Sequence, residues 1–135
     1  MINGVIIQKL QTLDEVVLEL RSLGQVTEGQ LHDDWRTRRA VERDLQVLIE
    51  IMIDVCQRLI ALVGQTPTAT AREAVERCVQ LGALSQYEAY HRMVQLRNFI
   101  DHYECIDTAI LVDIVNQRLG AAERFRDEIL AYVQR

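Results

Sequence analysis

The chain has 135 residues, of which 26% are charged and 49% hydrophobic but only 5% aromatic, with a formal net charge of −5 and a pI near 5.2. That charge excludes gripping nucleic acid by bulk electrostatics, although a local basic patch stays open. No apolar run reaches the ~20 residues that span a bilayer, and no basic region with an apolar block and cleavage site opens the chain, so a cytoplasmic protein with no membrane contact is expected.

The length fits one domain over residues 1–135, large enough to bury roughly two-thirds of its unfolded surface. Leu, Ile, Val and Ala spaced at three and four positions predict helices packed on helices. From Ile2 to Leu23, Ile6, Leu10, Leu13, Val17 and Leu20 make one stripe of a long helix that Gly24 closes. Gln25 to Trp35 has no periodicity and is predicted as a connection, with Trp35 packing as an anchor for the next helix.

From about Asp34 to Val63 runs the longest helical pattern, with Val41, Leu45, Leu48, Met52, Val55, Leu59 and Ile60 facing inward. Its first turns carry Arg36, Arg38, Arg39 and Arg43 at an end where the helix dipole prefers acids, so local stability does not account for them. A solvated face and a contact surface for phosphate or an acidic partner are both open readings. Asp54, between Ile53 and Val55, is either partnered across the core or an interface, or simply exposed.

Gly64 to Thr68, with the only proline, is the clearest break. Thr70 with Glu73 predicts a capped short helix through about Val79, and Ser85 with Glu88 repeats the pattern at the start of the next helix. There Met93, Leu96, Ile100 and Tyr103 share one face, with Arg97 and His102 off it. Ile106 to Thr108 reads as a turn capping a last helix through about Val133, whose buried side is Leu111, Ile114, Val115, Phe125, Ile129 and Val133. Cys56, Cys78 and Cys105 form no C-x-x-C pair and read as reduced, buried small hydrophobes. The expected fold is all-α, an antiparallel bundle of four long helices plus one short helix.

The chemistry concentrates in Arg97-Asn98-Phe99-Ile100-Asp101-His102-Tyr103-Glu104. On an ideal helix His102 shares a face with Asn98, whereas Arg97 and His102 stand ~140° apart. Two readings of these residues stand side by side. In one, Arg97 pairs with Asp101 a turn later and His102 is a partly exposed interface residue. In the other, a two-fold axis brings two Arg, two Asn and two His into one cleft. That cleft would suit phosphodiester chemistry without a metal or cofactor: His in acid–base transfer, Arg holding a phosphate, Asn orienting either group. RNA brings its own nucleophile, the 2′-hydroxyl.

Arg97, polar Asn98 and His102 after four intervening residues match the R-x4-H motif of the HEPN superfamily. Leu96 to Ile100, then His-Tyr-Glu and Ile106-Asp107, resemble its HepT-type branch, as do Arg39 to Arg43, Ile53-Asp54, the approach from Tyr90 and the run Ile110 to Val115. The resemblance covers roughly residues 30 to 135. It implies a HEPN-like bundle that dimerises through its active-site helices and acts as a metal-independent endoribonuclease toxin. It also implies an MNT-type nucleotidyltransferase antitoxin as partner, with RNA as substrate.

By the same resemblance Arg97 would polarise the phosphate, His102 would move the proton and Asn98 would support the geometry, leaving a 2′,3′-cyclic phosphate. The alternative is an inactive HEPN-like module that binds and regulates the nucleotidyltransferase. In this branch the motif usually runs His-x-Tyr, with that tyrosine taking AMP from the antitoxin. Here Tyr103 follows His102 directly and Asp101 stands where an apolar residue is usual, so the segment is one residue short. Tyr103 is the candidate for AMPylation.

Overall fold

The computed structural model describes residues 3–102 and 107–135, with side chains described up to 97 and again from 107. Every regular element among them is helical: α1 Gly4–Arg21, α2 Glu28–Asp33, α3 Trp35–Leu62, α4 Ala71–Gln80, α5 Glu88–His102, α6 Thr108–Asp113 and α7 Leu119–Val133, with a π-helical turn Ile114–Arg118 joining the last two. No helix among the described residues is long and apolar enough to cross a membrane.

The stripes legible in the sequence become the core. Ile6, Leu10, Leu13, Val17 and Leu20 of α1 are buried, as are Val41, Leu45, Leu48, Met52, Val55, Leu59 and Ile60 of α3 and Leu111, Ile114, Val115, Phe125, Ile129 and Val133 of the C-terminal run. At 28 residues, α3 is about 42 Å long. It touches α1, α2, α4, α5 and α7, so it is the central rod against which the others bury their apolar faces.

Local signals set the helix ends. Asn3 accepts the Ile6 N–H to start α1, and Gly24 follows its last turn at φ 66°, a conformation that suits glycine. Asp34 caps α3 by accepting the Arg36 and Thr37 N–H groups. After α3, Gln57 clasps Thr68 through both its amide atoms, which folds the proline-containing loop back onto the helix. Thr70 then accepts the Glu73 N–H to start α4, as its spacing predicts.

Four segments differ from expectation. The connection before α3 contains α2, whose six residues are too short to show a period; its signal was the pair Thr27 and Gln30, which close a complete capping box. Leu31 anchors that turn at 0% exposure, whereas Trp35 is 65% exposed and packs into no core. Ser85 does not cap α5, because its N–H and hydroxyl are both taken by Glu128. The C-terminal helix is interrupted by its π turn, where the Asn116 side chain bonds both the N–H and the C=O of Val26, at 3.0 and 2.9 Å, and pins the α1–α2 connection.

Asp54 is partnered and partly exposed at once, taking Lys9 at 2.8 Å and Arg58 at 2.9 Å at the edge of the α1–α3 contact. Burial pushes its carboxyl up, and the two cations outweigh that and hold it below the usual range. Cys56 and Cys78 are buried free thiols, Cys78 donating to the Cys56 carbonyl at 3.6 Å. The neighbouring Cys78 side chain, followed by burial, pushes the Cys56 thiol well up, away from reactivity. Cys105 lies outside the described residues.

Candidate functional site

Helix α5 carries the motif, and its buried positions define how it sits. Tyr90, His91, Met93 and Val94 are all buried, while Arg92 and Gln95 are exposed. The inward face is therefore rotated by ~120° from the stripe of Met93, Leu96, Ile100 and Tyr103 expected from spacing, and Leu96 is only half-buried. Ile100 and Tyr103 lie outside the residues with described side chains.

This rotation changes the place of Arg97. It follows Val94 by three, Met93 by four and Tyr90 by seven, so it continues the core-facing stripe instead of flanking it. Yet Arg97 is exposed. The stripe that is core at Tyr90 opens into a cleft by Arg97.

That cleft, about 350 Å³, lies between α5 and the start of α4 and is lined by Ala69, Thr70, Ala71, Arg72, Val94, Gln95 and Arg97. Among the described residues that line it, Arg72 and Arg97 are cations. Arg72 also reaches Glu76 at 3.2 Å on its own helix.

The backbone of α5 stays α-helical through His102. The ~140° between Arg97 and His102 on a regular helix therefore stands, and one copy of α5 does not aim both at a single atom. Of the expected site residues, Arg97 is placed on the cleft. The side chains of Asn98 and His102, and the whole of Tyr103, lie outside what the structure describes.

The opposite end of α5 is tied down by a polar cluster that sequence reasoning missed. Glu128 of α7 accepts the Ser85 N–H at 2.7 Å, the Ser85 hydroxyl, the Tyr90 hydroxyl at 2.8 Å and Arg124 Nε at 3.2 Å. Burial pushes its carboxyl up, but the bonds from Ser85, Tyr90 and Arg124 outweigh that and hold it low. The Tyr90 hydroxyl moves the other way, raised by burial and by the carboxylate it serves. Around this centre the Tyr90 ring meets Tyr87 and Phe125 edge-to-face, and the Arg124 guanidinium sits 4.0 Å from the Tyr87 ring centre. The available signal was Glu128 on an otherwise apolar face, three residues after Phe125.

The arginines at the start of α3 divide into two kinds. Arg38 is half-buried, holding Glu42 at 2.8 Å and Thr108 at 2.7 Å, so it ties α3 to the first turn of α6. Arg36, Arg39 and Arg43 remain on the surface. Among the described residues no group of three or more His, Cys, Asp or Glu side chains is arranged to hold a metal ion.

A family model described as HepT-like, Ribonuclease HepT-like, matches residues 10–129 of the chain. Among solved structures, the chain is similar to a tri-AMPylated HEPN toxin from Shewanella oneidensis in complex with its MNT antitoxin, at 24% identity and a TM-score of 0.84, covering 96% of this chain and 99% of that one. A toxin–antitoxin structure with AMP-PNP matches at 23% identity and a TM-score of 0.84, with the same coverage. No curated protein matches.

Proposed function

Because the chain belongs to the HepT-like ribonuclease family, we propose that it is the RNA-cleaving toxin of a toxin–antitoxin pair, a single HEPN-like domain acting as a homodimer and restrained by an MNT-type nucleotidyltransferase. The observation that carries this reading is the position of Arg97: the motif arginine is exposed where the buried stripe of α5 opens into a cleft that Arg72 also lines.

The chemistry is a transesterification. The 2′-hydroxyl of the RNA attacks the adjacent phosphorus, giving up its proton; the bond to the 5′-oxygen breaks, and that oxygen takes a proton. The products are a 2′,3′-cyclic phosphate and a 5′-hydroxyl. Arg97 holds the phosphate and offsets charge developing on it, His102 exchanges the proton, and Asn98, one turn before His102, orients it. The ~140° between Arg97 and His102 is the reason for a second copy, whose α5 would supply the missing half of each centre. AMP attached to Tyr103, next to His102 in sequence, would add a bulky anion beside the motif and block cleavage.

The test is cleavage of transfer RNA or messenger RNA in EDTA by wild type, Arg97→Ala and His102→Ala. Loss in both variants supports the reading; no cleavage by wild type at any concentration would make the chain an inactive partner module. Wild-type activity should peak near neutral pH and fall on both sides, since a residue that must both take and give a proton works near its own pKa. A flat profile from about pH 5 to 9 would remove His102 from the mechanism. Intact mass should rise by AMP units after incubation with ATP, Mg²⁺ and the cognate nucleotidyltransferase, and Tyr103→Phe should prevent it.

A further inference from the structure

The start of α3 carries features that its own stability does not call for. Trp35, the only tryptophan of the chain, is 65% exposed, and the Arg36 guanidinium covers one side of its ring at 5.4 Å from the ring centre. Arg36, Arg39 and Arg43 follow at i, i+3 and i+7, within ~60° of one another and over about 10 Å of helix. All three are exposed, and Arg39 is only 4.0 Å from its nearest acid, Glu42. Cations in the first turns oppose the helix dipole, and an exposed indole buries little apolar area.

The acids nearby are mostly committed. Asp34 is used in capping, accepting the Thr37 hydroxyl as well as the Arg36 and Thr37 N–H groups, and Glu42 clamps Arg38. Asp33 stays exposed at the end of α2.

The position of this patch gives it a use. Arg38 bonds Thr108 at 2.7 Å, so the start of α3 abuts the first residue of α6. Arg92, Met93 and Leu96 of α5 line a small cavity together with Ile110 and Asp113 of α6. Thr108 follows the end of α5 by six residues, which bounds its distance from that end to roughly 20 Å.

We propose that Trp35, Arg36, Arg39 and Arg43 form a subsite for an unpaired RNA strand, the open face of the indole stacking a base and the arginines holding the flanking phosphates. An aromatic face beside a row of cations suits single-stranded nucleic acid: every base has a face to stack and every linkage a charge to neutralise. The inference rests on the RNA-cleaving reading above.

As the only tryptophan, Trp35 reports directly. Titrating the full chain with a short single-stranded 2′-O-methyl oligoribonucleotide, which cannot be cut, should quench its fluorescence saturably. By fluorescence anisotropy of the labelled oligonucleotide, Trp35→Ala should bind about 5- to 100-fold more weakly, with Trp35→Phe between it and wild type. Arg39→Gln should lower the slope of log affinity against log salt by about 0.7. Cleavage of long RNA by wild type, with no tryptophan quenching and unchanged binding by Trp35→Ala, would overturn the subsite while leaving the nuclease reading intact. A tryptophan signal that answers only to the nucleotidyltransferase would overturn it too, assigning the patch to a protein partner. A wild type that neither cuts nor binds RNA would instead sink the reading beneath it.

Discussion

The two halves of α5 are the same helix under opposite demands. Its first half is locked: Tyr90 is fully buried, its ring held by Tyr87 and Phe125, and its hydroxyl spent on Glu128. Its second half, one turn beyond Val94, puts Arg97 on an open cleft. A phosphate-binding cation gains from a rigid mount, because a small misplacement of a positioned group costs much of its effect. On the proposed function this is a division of labour along one rod, with stability assigned to one end and chemistry to the other.

The sharpest way to break that comparison is Arg97→Ala. Cleavage should fall by a factor on the order of 100 to 1,000, while thermal unfolding stays within about 1 °C, since an exposed side chain is lost from no core. A large loss of Tm in this variant would mean that Arg97 is structural after all.

Glu128→Ala should do the reverse. It leaves the Tyr90 hydroxyl and the Ser85 N–H without their acceptor, a cost of about 2–3 kcal/mol and a Tm drop on the order of 10 °C. Turnover measured well below that Tm should change little. The carboxyl is held low in the folded chain, so its contribution is present above the unfolded pKa and is lost as pH falls through the folded one. The gap between wild type and variant should persist at neutral pH and close in acid below the ordinary carboxylate range.

Tyr90→Phe keeps both ring contacts and removes one bond, so about 1 kcal/mol is expected in denaturant unfolding. The smallest effect belongs to His91→Leu. His91 is 2% exposed and its Nδ1 finds no partner among the described residues, which is an unfavourable way to bury a polar atom. The variant should lie within about 1 kcal/mol of wild type, on the stable side. A loss beyond about 2 kcal/mol would show that the imidazole does something apolar packing cannot replace.

Much of the fold was legible before the structure, because a bundle writes its core as a period. The stripes of α1, α3 and the C-terminal helix are buried residue for residue, and Gly24, Thr70 and the Gly64 to Thr68 break act as their chemistry predicts. The HepT-type resemblance was legible in the sequence, and the family match over residues 10–129 bears out that resemblance.

What escaped the sequence depends on contacts between distant segments. Spacing alone placed the inward face of α5 ~120° away from where it lies, and only the fit of Tyr90 against Phe125 and Glu128 set its rotation, which put Arg97 on the cleft. Ser85 had the signature of a cap, yet a carboxylate 43 positions later took its N–H and hydroxyl. Trp35 reads as an anchor by composition, but Leu31 is the residue buried there and Trp35 stays exposed. The sequence by itself determined which residues form helices and which stripes they bury, since those follow from neighbours three and four positions away. The tertiary structure decided how each helix is turned and which polar groups meet, because these depend on partners that no local period can name.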